Sequence, residues 1–444
     1  MNKIPATRHT KRTSPLRVQF LVTSLPVGGA EMLLLNLVRG IDRNVLAPEV
    51  VCLKGTGELG ASFQNDVPLH ANLLRSKWDV RVFPRLTRLF RGSATDAVIT
   101  VGAGDKMFWG RLAARWARVP VICSALHSTG WPDGVGKLNR MLTPITDGFI
   151  ACAQGHADYL AEVEGFPAER VFMIPNGVDT DRFHPNPQMR IELREELGIA
   201  QDCPIVGIVA ALRPEKNHAQ LVAAAREVLR RQPHVHFVVV GEGPERARIE
   251  QLAQEAGIGS SFHLLGNRHD TERLLAGFDL FCLTSKNEAN PVSVLESLAC
   301  GVPAVCPKVG SIHESVQHER TGLLTQPLDA GDTAHALLRL LADPGLAADM
   351  GQRGRSLVCK QASLHSMVAG YQQLITRLYN QKAVVVHRPQ FVPEHNKDPS
   401  FDCTPKDSTP NSSTSNRELQ PLITSTPQIS SLAVSSSDLT HSGK

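Results

Sequence analysis

The residue types best suited to chemistry stand together in Ser285-Lys286-Asn287-Glu288-Ala289-Asn290-Pro291-Val292-Ser293-Val294-Leu295-Glu296. Asn290 suits an N-cap and Pro291 a first helical position, so a helix is expected to start here, with Glu288 in the loop and Glu296 more than a turn inside. The amides after Pro291, at Val292 and Ser293, would then face a pocket at the positively polarised end of the helix. Carboxylates at 288 and 296 would accept hydrogen bonds from sugar and ribose hydroxyls, with a diphosphate held between them. Two glutamates eight apart on a surface helix carry little meaning alone, so their company decides.

That company includes Leu212-Arg213-Pro214-Glu215-Lys216-Asn217-His218, directly after an apolar run at 205–210. It reads either as a solvated basic loop or as a phosphate site, in which Arg forks onto the oxygens and Lys adds a point charge. Leu25-Pro26-Val27-Gly28-Gly29-Ala30-Glu31 precedes an apolar helical pattern. Its two glycines make either a plain strand-to-helix turn or a place where phosphate approaches helix amides. The spacing is not that of a dinucleotide fingerprint. Gly241-Glu242-Gly243-Pro244 suits turn geometry, and no ligand is assigned to it. Asp179-Thr180-Asp181 reads D-x-D, a pattern able to hold a divalent metal, but it follows Asn176-Gly177 away from any strand end. No metal is expected.

Parallel sheets must place these loops. Short β-branched runs at 18–23, 49–53, 97–101, 120–124, 148–152 and 171–174 alternate with helical patterns, and a second series follows at 204–210, 236–241, 262–265, 280–284 and 302–306. Such alternation predicts two α/β domains with helix-covered parallel sheets. Ile174-Pro175-Asn176-Gly177-Val178-Asp179 punctuates the chain between them and is taken as a hinge. The expected organisation is a flexible 1–16, a first domain at 17–175, a second at 176–365, and a helix at 366–382 packing back on the first domain. Residues 383–444 are expected to be disordered, because 18 of the 50 residues from 395 onward are Ser or Thr and no periodic apolar face is present.

Taken in order, Gly28-Gly29-Ala30-Glu31, Pro175-Asn176-Gly177-Val178-Asp179 with Phe183, Arg213 with Lys216, Glu288 with Glu296, Cys300-Gly301-Val302-Pro303-Ala304-Val305, and Gly310-Ser311-Ile312-His313-Glu314 resemble the retaining GT-B glycosyltransferases of family four, whose signature is E-x7-E. The resemblance runs from Arg17 to about Tyr379. It implies two Rossmann-like domains facing a central cleft, and transfer of a sugar from a nucleoside diphosphate sugar to an acceptor hydroxyl with retention. It further implies Arg213 and Lys216 on the diphosphate, Glu296 on the ribose, Glu288 on the sugar ring and His127 beside the transferred sugar. Gly28, Gly29, Asn290, Val292 and Ser293 would complete the donor site, without metal or other cofactor. Ala289-Asn290 and Ser311 depart from the residues usual in the family, which bears on the sugar bound.

The remaining composition narrows the class. The 444 residues carry a net charge of +4, too little to imply nucleic acid. Nine cysteines without a C-x-x-C pair argue against a zinc site or disulfide framework and fit a reducing cytoplasm. No apolar run is long enough for a membrane span, and 1–16 lacks the pattern of a signal peptide. Residues 75–91 interleave six cations with Trp78, Val82, Phe83, Leu86, Leu89 and Phe90. A helix after Pro84 would be either an ordinary packed helix with a basic edge or an interfacial helix meeting anionic lipid on the inner face of a membrane, near a glycan or lipid-linked acceptor. A nucleotide-sugar epimerase and a non-catalytic binding protein are the competing classes.

Overall fold

The computed structural model describes residues 14–76, 79–102, 105–127 and 139–386. The expected flexible N-terminus and Ser/Thr-rich tail lie almost wholly outside these residues.

Two all-parallel sheets form the frame. The first has seven strands: β1 (Leu16–Val22), β2 (Leu46–Cys52), β3 (Leu69–His70), β4 (Ala97–Val101), β5 (Val121–Ala125), β6 (Gly148–Ala151) and β7 (Val171–Met173). They stand in the order β3-β2-β1-β4-β5-β6-β7. The second comprises β8 (Ile205–Val209), β9 (His236–Val240), β10 (Phe262–Gly266), β11 (Leu280–Cys282), β12 (Ala304–Pro307) and β13 (Gly322–Thr325), ordered β10-β9-β8-β11-β12-β13. Strands such as β4 and β5 are buried along their whole length because helices cover both faces, which is why their sequences are apolar but for Thr100 and Ser124, whose buried hydroxyls bond each other at 3.0 Å. The fold is GT-B.

In each sheet the strand order reverses beside the first strand of the series. β1 lies between β2 and β4, and β8 pairs with both β9 and β11. Such a switch point opens a crevice at the carboxyl ends of the two strands flanking it. The loops carrying Arg213 and Glu288 leave β8 and β11, so topology alone brings them together.

Periodicity did not reveal β3 and β13, which span two and four residues. Elsewhere strand bounds differ from the expected ones by at most three residues, and β4 matches at both ends. The basic helix begins at Val82, two residues before Pro84, because a proline in the first turn gives up no intrahelical hydrogen bond. It packs as an ordinary helix, burying Val82, Leu86 and Phe90 with β4 residue Val98 and β5 residue Ile122.

The chain crosses between the sheets at two places that touch each other. Val178 donates its amide to Ala362 O at 2.9 Å, and Leu364 donates to Val178 O at 2.8 Å. A Cβ on Gly177 would lie 2.7 Å from Met367 Cβ and 2.8 Å from Ser363 O, so only glycine lets the crossings pack so closely. After the second crossing, the Leu364–Val386 helix buries Met367, Val368, Tyr371, Leu374, Ile375 and Leu378 in the core of the first sheet.

Candidate active site

The cationic loop is held from behind. After β8, Leu212 donates to Glu242 O and Glu245 donates back to Leu212 O. Gly241 and Gly243 have positive φ, and Cβ atoms on them would sit 2.1 Å from Ala210 O and 2.4 Å from Leu212 O. The Gly-Glu-Gly turn is therefore a buttress for the Arg213 loop. The loop continues through a 3-10 turn, Pro214–Lys216, and a left-handed Asn217 into the His218–Arg231 helix. Its two cations diverge. Arg213 is 60% exposed, with Glu215 4.0 Å away, whereas Lys216 is 24% exposed and donates to the carboxylate of Glu288, which is 11% exposed.

The backbones of that pair are fixed. Thr284, just beyond β11, donates its hydroxyl to Lys216 O and Asn217 O, both at 3.1 Å, and Lys286 donates its amide to Glu215 O at 2.8 Å. Gly310, at φ 49°, lies so close to Glu288 that a Cβ would fall 1.6 Å from its carbonyl oxygen. Glu288 is thus backed by the loop after β12.

Asn290 does not cap the helix expected to follow it. The helix runs Val292–Ala299 with Pro291, extended at ψ 122°, in the cap position and no side-chain cap. Asn290 is engaged elsewhere: its Nδ2 donates to Cys152 O at 2.9 Å, its Oδ1 accepts from Ser315 at 3.3 Å, and its carbonyl accepts from Asn176 Nδ2 at 2.8 Å. It joins the hinge, the second sheet and the loop after β6. Beside it, Glu314 accepts from the amides of Gln154 at 2.9 Å and Gly155 at 2.7 Å, supplying acceptors to the otherwise uncapped N-terminus of the Gln154–Glu162 helix. Local sequence assigns no side-chain role to Glu314 or Asn176; a glutamate shortly after Gly310 is the one signal it offers.

Glu296 stands inside the Val292–Ala299 helix, partly buried. Burial pushes its pKa up to about 7, against the pull of Arg182 and with a smaller push from Glu272; Arg182 itself is bonded to Glu272 at 2.6 Å. Val292, at the helix start, meets the first domain, since a Cβ on Gly29 would lie 3.8 Å from its Cγ2. Gly28 precedes the Gly29–Gly40 helix, and the space beside it holds the Glu31 carboxylate, 2.6 Å from where a Cβ would be. The N-termini of two helices, one from each domain, therefore adjoin across the cleft, with Ser293 in the first turn of the second. His127, just past β5, lines a small recess with Ala30, Leu33, Leu34, Val101, Met367 and Tyr371. Neither Lys216 nor Glu288 is among the residues lining it. Asp179 of the D-x-D pattern accepts from the amides of Asp181 and Arg182 at 3.1 Å each, closing its own turn.

Buried polar groups gather around Thr284. Both ring nitrogens of His218 and the hydroxyl of Ser285 lack hydrogen-bonding partners among the described residues, and burial, with Lys216 nearby, holds His218 down to about 4. It is neutral at physiological pH.

Sequence comparison matches residues 27–182 to glycosyltransferase family 4 and residues 189–357 to glycosyl transferases group 1. The chain is 27% identical over 316 residues to a putative glycosyltransferase, EpsF, of Bacillus subtilis, covering 66% of this chain and 79% of that one. It is 28% identical over 342 residues to the GDP-mannose-dependent alpha-(1-6)-phosphatidylinositol monomannoside mannosyltransferase of Mycolicibacterium smegmatis, covering 72% and 86%. Anabaena HepE, solved with UDP and glucose, superposes with a TM-score of 0.71 at 21% identity, over 82% of this chain and all of that one. The epimerase alternative finds no support among these relatives.

Proposed function

The chain is a glycosyltransferase of the group 1, family 4 type, and from that premise we propose that it transfers a hexose from a nucleoside diphosphate sugar to a hydroxyl of a glycan or lipid-linked acceptor, with retention. The observation that carries this reading is the meeting of Lys216 with Glu288 at the ends of adjacent strands, beside the start of the Val292–Ala299 helix. Relatives and structural neighbours named for GDP-mannose, UDP and UDP-glucose support a nucleotide-sugar donor, and the mycobacterial relative supports a lipid-borne acceptor.

In this mechanism Arg213 and Lys216 neutralise the diphosphate as it departs, helped by the positive end of the Val292–Ala299 helix. Preorganised charge of this kind lowers the barrier because the leaving group gains negative charge in the transition state. Glu288 accepts from the ring hydroxyls and favours positive character at the anomeric carbon; Glu296 accepts from the ribose hydroxyls. Retention follows from front-face substitution, in which a departing phosphate oxygen takes the acceptor proton. His127, from the first domain, is assigned to the neighbourhood of the transferred sugar. In this reading Arg213 and Lys216 supply the positive charge at the diphosphate, and no divalent ion takes part.

The first domain also carries a surface suited to anionic lipid. Arg75, Arg81, Arg88 and Arg91 are exposed beside Val80, 65% exposed, and the neighbouring Asp105–Ala117 helix presents Arg115 and Trp116, 64% exposed, followed by exposed Arg118. Arg85 is spent on Asp79 at 2.7 Å and Leu73 O at 2.8 Å; Lys77 and Trp78 lie outside the described residues. No helix among those described is long and apolar enough to cross a membrane. We place the enzyme at the cytoplasmic membrane surface as a peripheral protein, held by charge and an aromatic edge.

The donor reading is tested by thermal unfolding with uridine, guanosine and adenosine diphosphates in a chelator. One base should raise the melting temperature, and Arg213→Ala and Lys216→Ala should each weaken its binding about tenfold or more, as for loss of a charged hydrogen bond. Sugars of that base should then release nucleotide only with acceptor present, giving a product of the donor's anomeric configuration. Stabilisation by none of the three, or donor conversion without acceptor, would overturn it.

A further inference from the structure

We propose that Glu288 is the internal counter-ion of Lys216, and that the diphosphate of an arriving donor displaces it, so the ammonium passes from carboxylate to phosphate while the carboxylate turns to the sugar ring. This rests on the donor site proposed above and assigns Glu288 a second task there.

The pair is built into the fold. Lys216 and Glu288 lie 72 residues apart on loops that leave neighbouring strands, and their side chains meet in direct ionic contact while largely shielded from water. Neither backbone is free to withdraw. Lys216 O is held by Thr284 and its amide by Arg213 O at 3.0 Å, while Glu288 is backed by Gly310. Arg213, by contrast, points outward and is 60% exposed. Of the two cations assigned to the diphosphate, Arg213 lies 4.0 Å from the exposed Glu215 carboxylate, whereas Lys216 is in direct contact with the largely buried Glu288.

This has an unequal effect on two ligands. A nucleoside diphosphate without sugar must draw Lys216 off Glu288 and leave that carboxylate near its own negative charge, without compensation. An intact donor brings ring hydroxyls that donate to Glu288 as Lys216 leaves it. The pair therefore discriminates donor from spent nucleotide, which share base, ribose and diphosphate and cannot be told apart by groups that touch only those parts. Once the sugar has moved to the acceptor, Glu288 loses its hydroxyl partners, returns to Lys216 and promotes release of the product.

The experiment measures affinity for inorganic pyrophosphate, the group common to any such donor, and for the nucleoside diphosphate that stabilises the protein, without divalent ions. Glu288→Gln should bind both about tenfold more tightly than the wild type, while kcat falls because the transition state loses a charge. Glu288→Asp, which draws the carboxylate back by one methylene, should tighten binding by a smaller factor and gives the same comparison should the glutamine variant fail to fold. In a Lys216→Ala background, Glu288→Gln should change affinity less than twofold, since the competition has lost its object. Unchanged or weaker binding by Glu288→Gln or Glu288→Asp, with melting temperatures equal to wild type, would overturn the proposal. If instead Arg213→Ala and Lys216→Ala leave nucleotide affinity untouched, the donor-site reading itself falls.

Discussion

Glu296 lies at the midpoint of its titration near neutral pH, because burial raises its pKa to about 7 while the cation acting on it, Arg182, is already bonded to Glu272. Two consequences follow from the sign. The folded pKa exceeds the ordinary 4.5, so the native state takes up a proton more readily than the unfolded chain. The stabilisation this brings is present below pH 4.5 and lost as pH rises through 7. Glu296→Gln should therefore raise the melting temperature at pH 8.5 and change it little at pH 5. Ligand binding runs the other way, since a carboxylate that accepts from both ribose hydroxyls must be ionised. Glu296→Gln should weaken nucleoside diphosphate binding about tenfold to a hundredfold at pH 8.5, as expected for a charged hydrogen bond, and clearly less at pH 6. Comparison with the variant cancels the ligand's own titration. Equal losses at the two pH values would remove Glu296 from the ribose.

At the scale of elements, the Gln154–Glu162 helix has its N-terminus capped by a carboxylate from the other sheet's domain. Glu314→Ala would leave the amides of Gln154 and Gly155 without their acceptors, and loss of a cap costs about 0.5–2 kcal/mol. Faster hydrogen exchange at those two amides, with Glu314→Gln intermediate, is the expected reading; unchanged exchange would show that the cap holds nothing. This contact also marks where the sequence stopped being informative. β-branched runs, paired glycines and a proline after an asparagine mark most strands, the loops carrying Arg213 and Glu288 and the start of the Val292–Ala299 helix to within a residue, because each is a local preference. The partners of Asn290 and Glu314 lie 138 and 159 residues away along the chain, and no local preference encodes them. For the same reason the local preference of Asn290 for capping its own helix is overridden, and its side chain reaches Cys152 O instead. β3 and β13 escaped because two to four residues are too few to show a period.

For the whole molecule, the exposed arginines and Trp116 on one side of the first domain predict how the enzyme meets its acceptor. Vesicles containing phosphatidylglycerol should sediment the wild type at low salt and release it as salt rises, whereas Arg88→Glu with Arg118→Glu should abolish sedimentation and leave turnover of a water-soluble acceptor intact. Sedimentation that is insensitive to salt and to both charges would assign binding to another surface. The two crossings meet at Val178, which donates to Ala362 O and accepts from Leu364. The second crossing also governs assembly of the chain. Asp42 donates its amide to Gln372, 330 residues further on, and Lys382 reaches Pro120 O and Asp147 across more than 200. On the ribosome, the first sheet is translated long before the Leu364–Val386 helix that covers it, so its apolar face must wait, unfinished, while the entire second sheet is made. The order of synthesis and the order of completion are reversed, and a nascent chain halted before Leu364 would present an open groove to chaperones and proteases.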